Sequence, residues 1–147
     1  MKITENLFVN VTFGMFILFM IYFYHKNLIK RKVDIYLSGL AITISAMLLL
    51  SKNPNILDIA HFFYNTVYLV SVSFLSNNKY LLGLNILMLL TTILSRHYYK
   101  GCVLNNKQKN TGFFYSLNDS KKRHLWFWNW DYIYPLLLIV SAVRITK

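Results

Sequence analysis

Asp58, His61, Asn65 and Tyr68 recur at intervals of three, four and three residues, which sets a carboxylate, an imidazole, an amide and a phenol on one narrow helical face. Ionisable groups of this kind inside an apolar helix can relay protons or line an ion path, and Asn85 in the next apolar stretch adds a second amide. The same residues also have a structural use. A first-turn aspartate near the surface meets the positive end of the helix dipole. His and Asn between apolar helices make packing bonds of about 0.6 kcal/mol on average. Such packing bonds are routine, so the structural use carries the greater weight. An Asp at mid-bilayer costs about 2.5 to 3.5 kcal/mol, so the stripe is expected to face other helices, a cavity or the interface.

Other chemistry finds little support. His61 is the one mid-span histidine, since His25, His97 and His124 sit at the ends of apolar runs, and a bis-histidine haem site is therefore not expected. Cys102 is the single cysteine, which rules out an intramolecular disulfide and a cysteine-based structural zinc site. The spacing of His97, Cys102 and His124 fits no metal-binding pattern, so no metal and no cofactor is expected. Cys102 lies just beyond an apolar run, where a thiol is a candidate for S-acylation. Asn118-Asp119-Ser120 and Asn10-Val11-Thr12 match the glycosylation pattern, the second inside an apolar run. The chain has no helical His-Glu zinc motif, phosphate-binding glycine loop or nucleophile elbow.

The elements that position these residues are apolar. The 147 residues are 56% hydrophobic and only 14% charged, against about 25% charged in soluble domains, and they fit a single domain. Five runs have helical character: 7–24, 33–50, 56–75, 80–95 and 125–143. The first has eighteen residues without a charge, enough to cross about 30 Å of hydrocarbon at 1.5 Å per residue. Asp34 falls in the first turn of the second run beside Lys32 and reads as a helix-terminus residue. Asn53 and Pro54 form an N-cap and first-turn pair ahead of the third run. The fourth run is short, and Asn77 to Lys79 or Arg96 to Tyr98 would complete a span. The fifth opens on Trp126, Trp128 and Trp130, an aromatic belt suited to the water boundary. The fold expected is all-α, a polytopic helical membrane protein with five apolar helices, four of them crossing if the polar third run lies on the surface.

Residues 96–124 form the one long polar passage. Arg96, Lys100, Lys107, Lys109, Lys121, Lys122 and Arg123 stand there against one acid, Asp119. These cations flank apolar runs, so anionic lipid head groups are the expected polyanion rather than nucleic acid. Phe113, Phe114 and Tyr115 between them suit the head-group layer. Counting Lys and Arg on alternate sides gives nine against seven for five crossings and eleven against five for four. Charge thus favours four crossings, and the hydrophobicity of 56–75 favours five.

Arg96-His97-Tyr98-Tyr99-Lys100-Gly101-Cys102-Val103-Leu104-Asn105 resembles the Arg-aromatic-aromatic then Gly-Cys-x-Leu segment that follows a span in small membrane proteins of large DNA viruses. An Asn- and Lys-rich, Ala-poor composition, as from an AT-rich coding sequence, agrees with it. The resemblance implies an integral membrane protein and assigns no catalytic residue. The function expected is a non-enzymatic, multi-pass subunit of a membrane complex or of a virion or host membrane. It would work with a protein partner or as a homo-oligomer, using the basic loop as contact surface. The alternative is a small oligomeric channel or carrier lined by Asp58, His61, Asn65 and Asn85.

Overall fold

The computed structural model describes residues 4–99, 102–104 and 130–147, and among them the regular structure is entirely helical. In chain order the elements are α1 (Glu5–His25), α2 (Lys32–Leu50), α3 (Pro54–Phe62), a π-helical segment (Phe63–Leu69), α4 (Val70–Leu75), α5 (Lys79–Tyr98) and α6 (Trp130–Ile145). The basic loop from Lys107 to Arg123, Lys100, and the Trp126 and Trp128 part of the aromatic belt lie outside the described residues.

The helix ends follow local chemistry. Thr4, Asn53 and Asn78 cap α1, α3 and α5, each accepting a backbone N–H from the first turn, and Pro54 occupies the N1 position behind Asn53. α1 stops at a left-handed residue, Asn27, with φ 52°. The Leu28 N–H reaches back to the Phe23 carbonyl at 2.9 Å and the Asn27 N–H to the Tyr24 carbonyl at 3.0 Å, so two carbonyls left over by the helix end are satisfied. Asn tolerates this backbone region better than most residues. α5 takes in both Lys79 and Tyr98, the extensions needed to make the fourth run long enough.

Among the described residues three helices, α1, α2 and α5, are long and apolar enough to cross a membrane. The expectation of five such helices is met in part. The third run is continuous but its geometry widens from α to π between Phe63 and Leu69, and α6 has sixteen described residues. At Thr66 the side-chain hydroxyl donates to the Phe62 carbonyl, a local bond that competes with the regular ladder.

Ring contacts and hydrogen bonds give the relative directions. Phe13 meets Tyr64 and Phe16 meets Tyr68 edge-on, so α1 runs parallel to the third run. Phe8 meets Tyr99 and Phe23 meets Tyr80, so α1 is antiparallel to α5. Arg96 pairs with Asp131 and Asn85 with Ser141, so α6 returns antiparallel to α5. One end of the bundle therefore gathers Thr4, the turn at Ser51 to Asn53, Tyr99 and Trp130, and the other gathers His25 to Lys32, Ser76 to Lys79 and the C-terminus.

The distribution of polarity is inside-out. Leu18, Leu50, Leu94 and Ile139 are 60%, 82%, 66% and 61% exposed, while Ser38, Ser45, Ser73, Ser76, Asn85 and Ser141 are fully buried. In water such exposed aliphatic side chains would be costly at about 25 cal/mol per Å2 of apolar surface, and in hydrocarbon they cost nothing.

Candidate functional site

The polar interior divides into three groups, one at each end of the bundle and one between. The first gathers around His61 and Asn65, which the third run presents inward. His61 Nε2 lies 3.3 Å from Cys102 Sγ, and Asn65 Oδ1 accepts the Tyr134 hydroxyl at 3.0 Å. Arg96 in the last turn of α5 donates through Nε and Nη2 to one carboxylate oxygen of Asp131, at 2.9 and 2.6 Å, and its guanidinium lies 5.8 Å from the Tyr134 ring centre. His61, Asn65, Arg96, Cys102 and Tyr134, with Tyr64 and Thr92, line a cavity of about 30 Å3, the room taken by a single water. The Tyr64 hydroxyl is buried at its wall with no hydrogen-bond partner among the described residues.

The middle group is a serine and asparagine layer joining three helices. Asn85 Nδ2 donates to Ser73 Oγ at 2.9 Å and to Ser141 Oγ at 3.1 Å, Ser141 donates to Ser73 at 3.0 Å, and Ser73 donates to the Leu69 carbonyl at 2.8 Å. Ser73 donates once and accepts twice, and Ser141 donates once and accepts once, so both hydroxyls are satisfied. Asn85 Oδ1 has no partner among the described residues.

The third group closes the opposite end. Ser76 donates to Asp34 Oδ1 at 2.7 Å, leaving Asp34 Oδ2 unmatched among the described residues, and Asn78 Nδ2 donates to the Leu28 carbonyl at 2.7 Å. Arg144 near the end of α6 reaches the Phe74 and Ser76 carbonyls and the Asn77 side chain, supplying donors to carbonyls that the end of α4 leaves over.

Of the residues singled out from the sequence, Asp58, His61, Asn65 and Tyr68 are all buried, at 3%, 8%, 5% and 0% exposure, and so face the bundle interior. Asp58 is the fifth residue of α3 and buried, rather than a first-turn residue at the surface. Tyr68 does not join the His61 group; it stacks on Tyr64 and meets Phe16. Asn85 belongs to the serine layer, a separate group from His61 and Asn65. Arg96 is held by Asp131 and its side chain is 17% exposed. The other loop cations, Lys100, Lys107, Lys109, Lys121, Lys122 and Arg123, lie outside the described residues. Asp34 is buried as well as terminal. Sequence reading assigned no interhelical role to Ser73, Ser76 and Ser141, whose only signal is a serine within or at the end of an apolar run. Among the described residues no three His, Cys, Asp or Glu side chains converge as metal ligands. Comparison of the chain with protein-family models, with curated proteins and with solved structures gives no match.

Proposed function

We propose that the chain is an integral membrane protein of five crossings that serves as a non-enzymatic structural or interaction subunit of a membrane assembly, with the basic loop after α5 as its contact surface. The observation that carries this reading is the inside-out polarity: each of the five helical runs turns large apolar side chains outward, and the polar groups are spent on joining helices to one another. In hydrocarbon, interhelical hydrogen bonds and close packing hold a bundle together, because burying leucine gains nothing there. Three runs satisfy the length and composition of a span by themselves. The third run and α6 cross with them because they are packed alongside and share their buried polar layer.

The channel alternative asks the same polar groups to stay open to ions. Asn65 and Asn85 sit instead in separate bonded groups, and the cavity at His61 has room for about one water. A partner of protein or anionic lipid is supplied for by the loop, whose cations are each drawn to an anionic surface by about 1 kcal/mol. A virion or host membrane, in line with the resemblance of residues 96–105, is one such setting.

Two experiments test the reading. In a Cys102→Ser background, Lys52→Cys and Lys79→Cys report sidedness to an impermeant maleimide: five crossings place them on opposite faces, and labelling from the same face would put the third run on the surface. For function, crosslinking in native membranes is expected to capture a partner protein or a second copy, and purified protein in liposomes is expected to pass no ions. An ion flux that disappears in Asp58→Asn would overturn the subunit reading.

A further inference from the structure

Cys102 and His61 meet across 41 residues of sequence at the edge of the bundle, sulfur to ring nitrogen at 3.3 Å, beside the small cavity that Tyr64 also lines, its buried hydroxyl without a hydrogen-bond partner among the described residues. A thiol becomes a nucleophile as its thiolate, and an imidazole at hydrogen-bond distance is the group that removes its proton. Among the described residues the remaining charged or titratable groups on the cavity are Arg96 from α5 and Tyr134 from α6, with Asp131 tied to Arg96; α1 contributes Phe8, Val9, Thr12 and Phe13, none of which titrates. A guanidinium within this group favours the thiolate.

The geometry points to Cys102 as a self-acylating thiol that takes a fatty acyl group from an acyl thioester, with His61 as general base and the Tyr64 hydroxyl as donor to the carbonyl oxygen. The cavity has room for about one water-sized group, so only the carbonyl oxygen of the thioester enters it, while the donor thiol and the acyl tail stay outside. Cys102 is half-buried just beyond the end of α5, level with the bundle end where α1 begins, which suits a donor arriving along the membrane boundary.

The step balances without a redox partner. His61 Nε2 takes the Cys102 proton, the thiolate sulfur attacks the thioester carbonyl carbon, and the C–S bond to Cys102 forms. The carbonyl oxygen carries the negative charge while Tyr64 donates to it. The C–S bond to the donor thiol then breaks, and the proton held by His61 leaves with the donor thiolate. One thioester is exchanged for another, and the chain is modified once rather than turning over. The choice of a lipid donor rests on the membrane placement proposed above; the activation of the thiol does not.

The test uses the full-length chain in lipid nanodiscs, exposed to palmitoyl-coenzyme A, with hydroxylamine-labile acyl groups counted by intact mass. One acyl group per chain is expected, absent in Cys102→Ser. His61→Gln is expected to slow acylation by about a hundredfold or more, the range of general-base catalysis. Tyr64→Phe, which removes a hydroxyl that has no partner among the described residues, is expected to slow it by about a hundredfold, as for loss of one oxyanion donor. Alkylation by iodoacetamide, a water-soluble reagent that forms no oxyanion, follows the thiolate alone: its pH midpoint is expected below the usual cysteine value of about 8.5 and to return toward it in His61→Gln. Tyr64→Phe is expected to affect alkylation far less than acylation. Equal acylation of wild type and His61→Gln, or a normal midpoint in the wild type, would overturn the assignment. A lowered midpoint without acylation would refute the lipid donor while leaving the activated thiol, and the membrane reading, in place.

Discussion

The serine and asparagine layer makes an uneven demand on its members, and that unevenness is measurable. Ser141→Ala removes two interhelical bonds, a loss of about 1.2 kcal/mol at the membrane average, and leaves one Asn85 N–H buried without an acceptor. With the cost of that orphaned donor taken at the low end of its range, about 1 kcal/mol, the total is about 2 kcal/mol. Asn85→Leu also removes two bonds, but with them goes an oxygen buried without a partner among the described residues, whose desolvation costs about 1 to 3 kcal/mol. The two contributions cancel, so the leucine variant is expected to be as stable as the wild type or slightly more so. In the Asn85→Leu background, Ser141→Ala removes only the bond to Ser73 and should cost about 0.6 kcal/mol. The coupling between the two positions is then about 1.4 kcal/mol, inside the largest values measured between membrane helices. Reversible unfolding in mixed micelles, titrated with a denaturing detergent and followed by helicity, gives all four stabilities. Additive effects, or an Asn85→Leu variant less stable than Ser141→Ala, would refute the layer as described.

Further outcomes are expected from the same measurements. Tyr134→Phe leaves Asn65 Oδ1 without its donor and should cost about 1 to 3 kcal/mol, whereas Tyr68→Phe, which removes a hydroxyl that has no partner among the described residues, should cost nothing or stabilise. Asp131→Asn breaks an ion pair whose acid is 56% exposed, so the loss should stay under about 1 kcal/mol and shrink with added salt. Gly83→Ala places a Cβ at 3.6 Å from the Ile145 side chain, an ordinary contact, so it should be tolerated and stabilise α5 by about 0.5 to 1 kcal/mol. Alkaline carbonate washing should leave the protein in the membrane pellet, and its release would end the membrane reading.

What was legible in the sequence is what local chemistry governs. Runs of apolar residues of spanning length, Asn53 and Pro54 at a helix start, the reach of α5 to Lys79 and Tyr98, and the inward face of Asp58, His61, Asn65 and Tyr68 all follow from the period of a helix and from which backbone groups its ends leave over. Tertiary structure decided which inward groups meet. His61 with Cys102, Asn65 with Tyr134, Arg96 with Asp131 and Asp34 with Ser76 are separated by 41, 69, 35 and 42 residues. The helical period fixes a residue's face on its own helix and says nothing about the rotation or height of the helix set against it. The π-helical segment is of the same kind. It alters the angle between His61 and Tyr68 within one run, so a stripe that a uniform helix would present as one site is shared between a polar pocket at His61 and Asn65 and an aromatic contact at Tyr68.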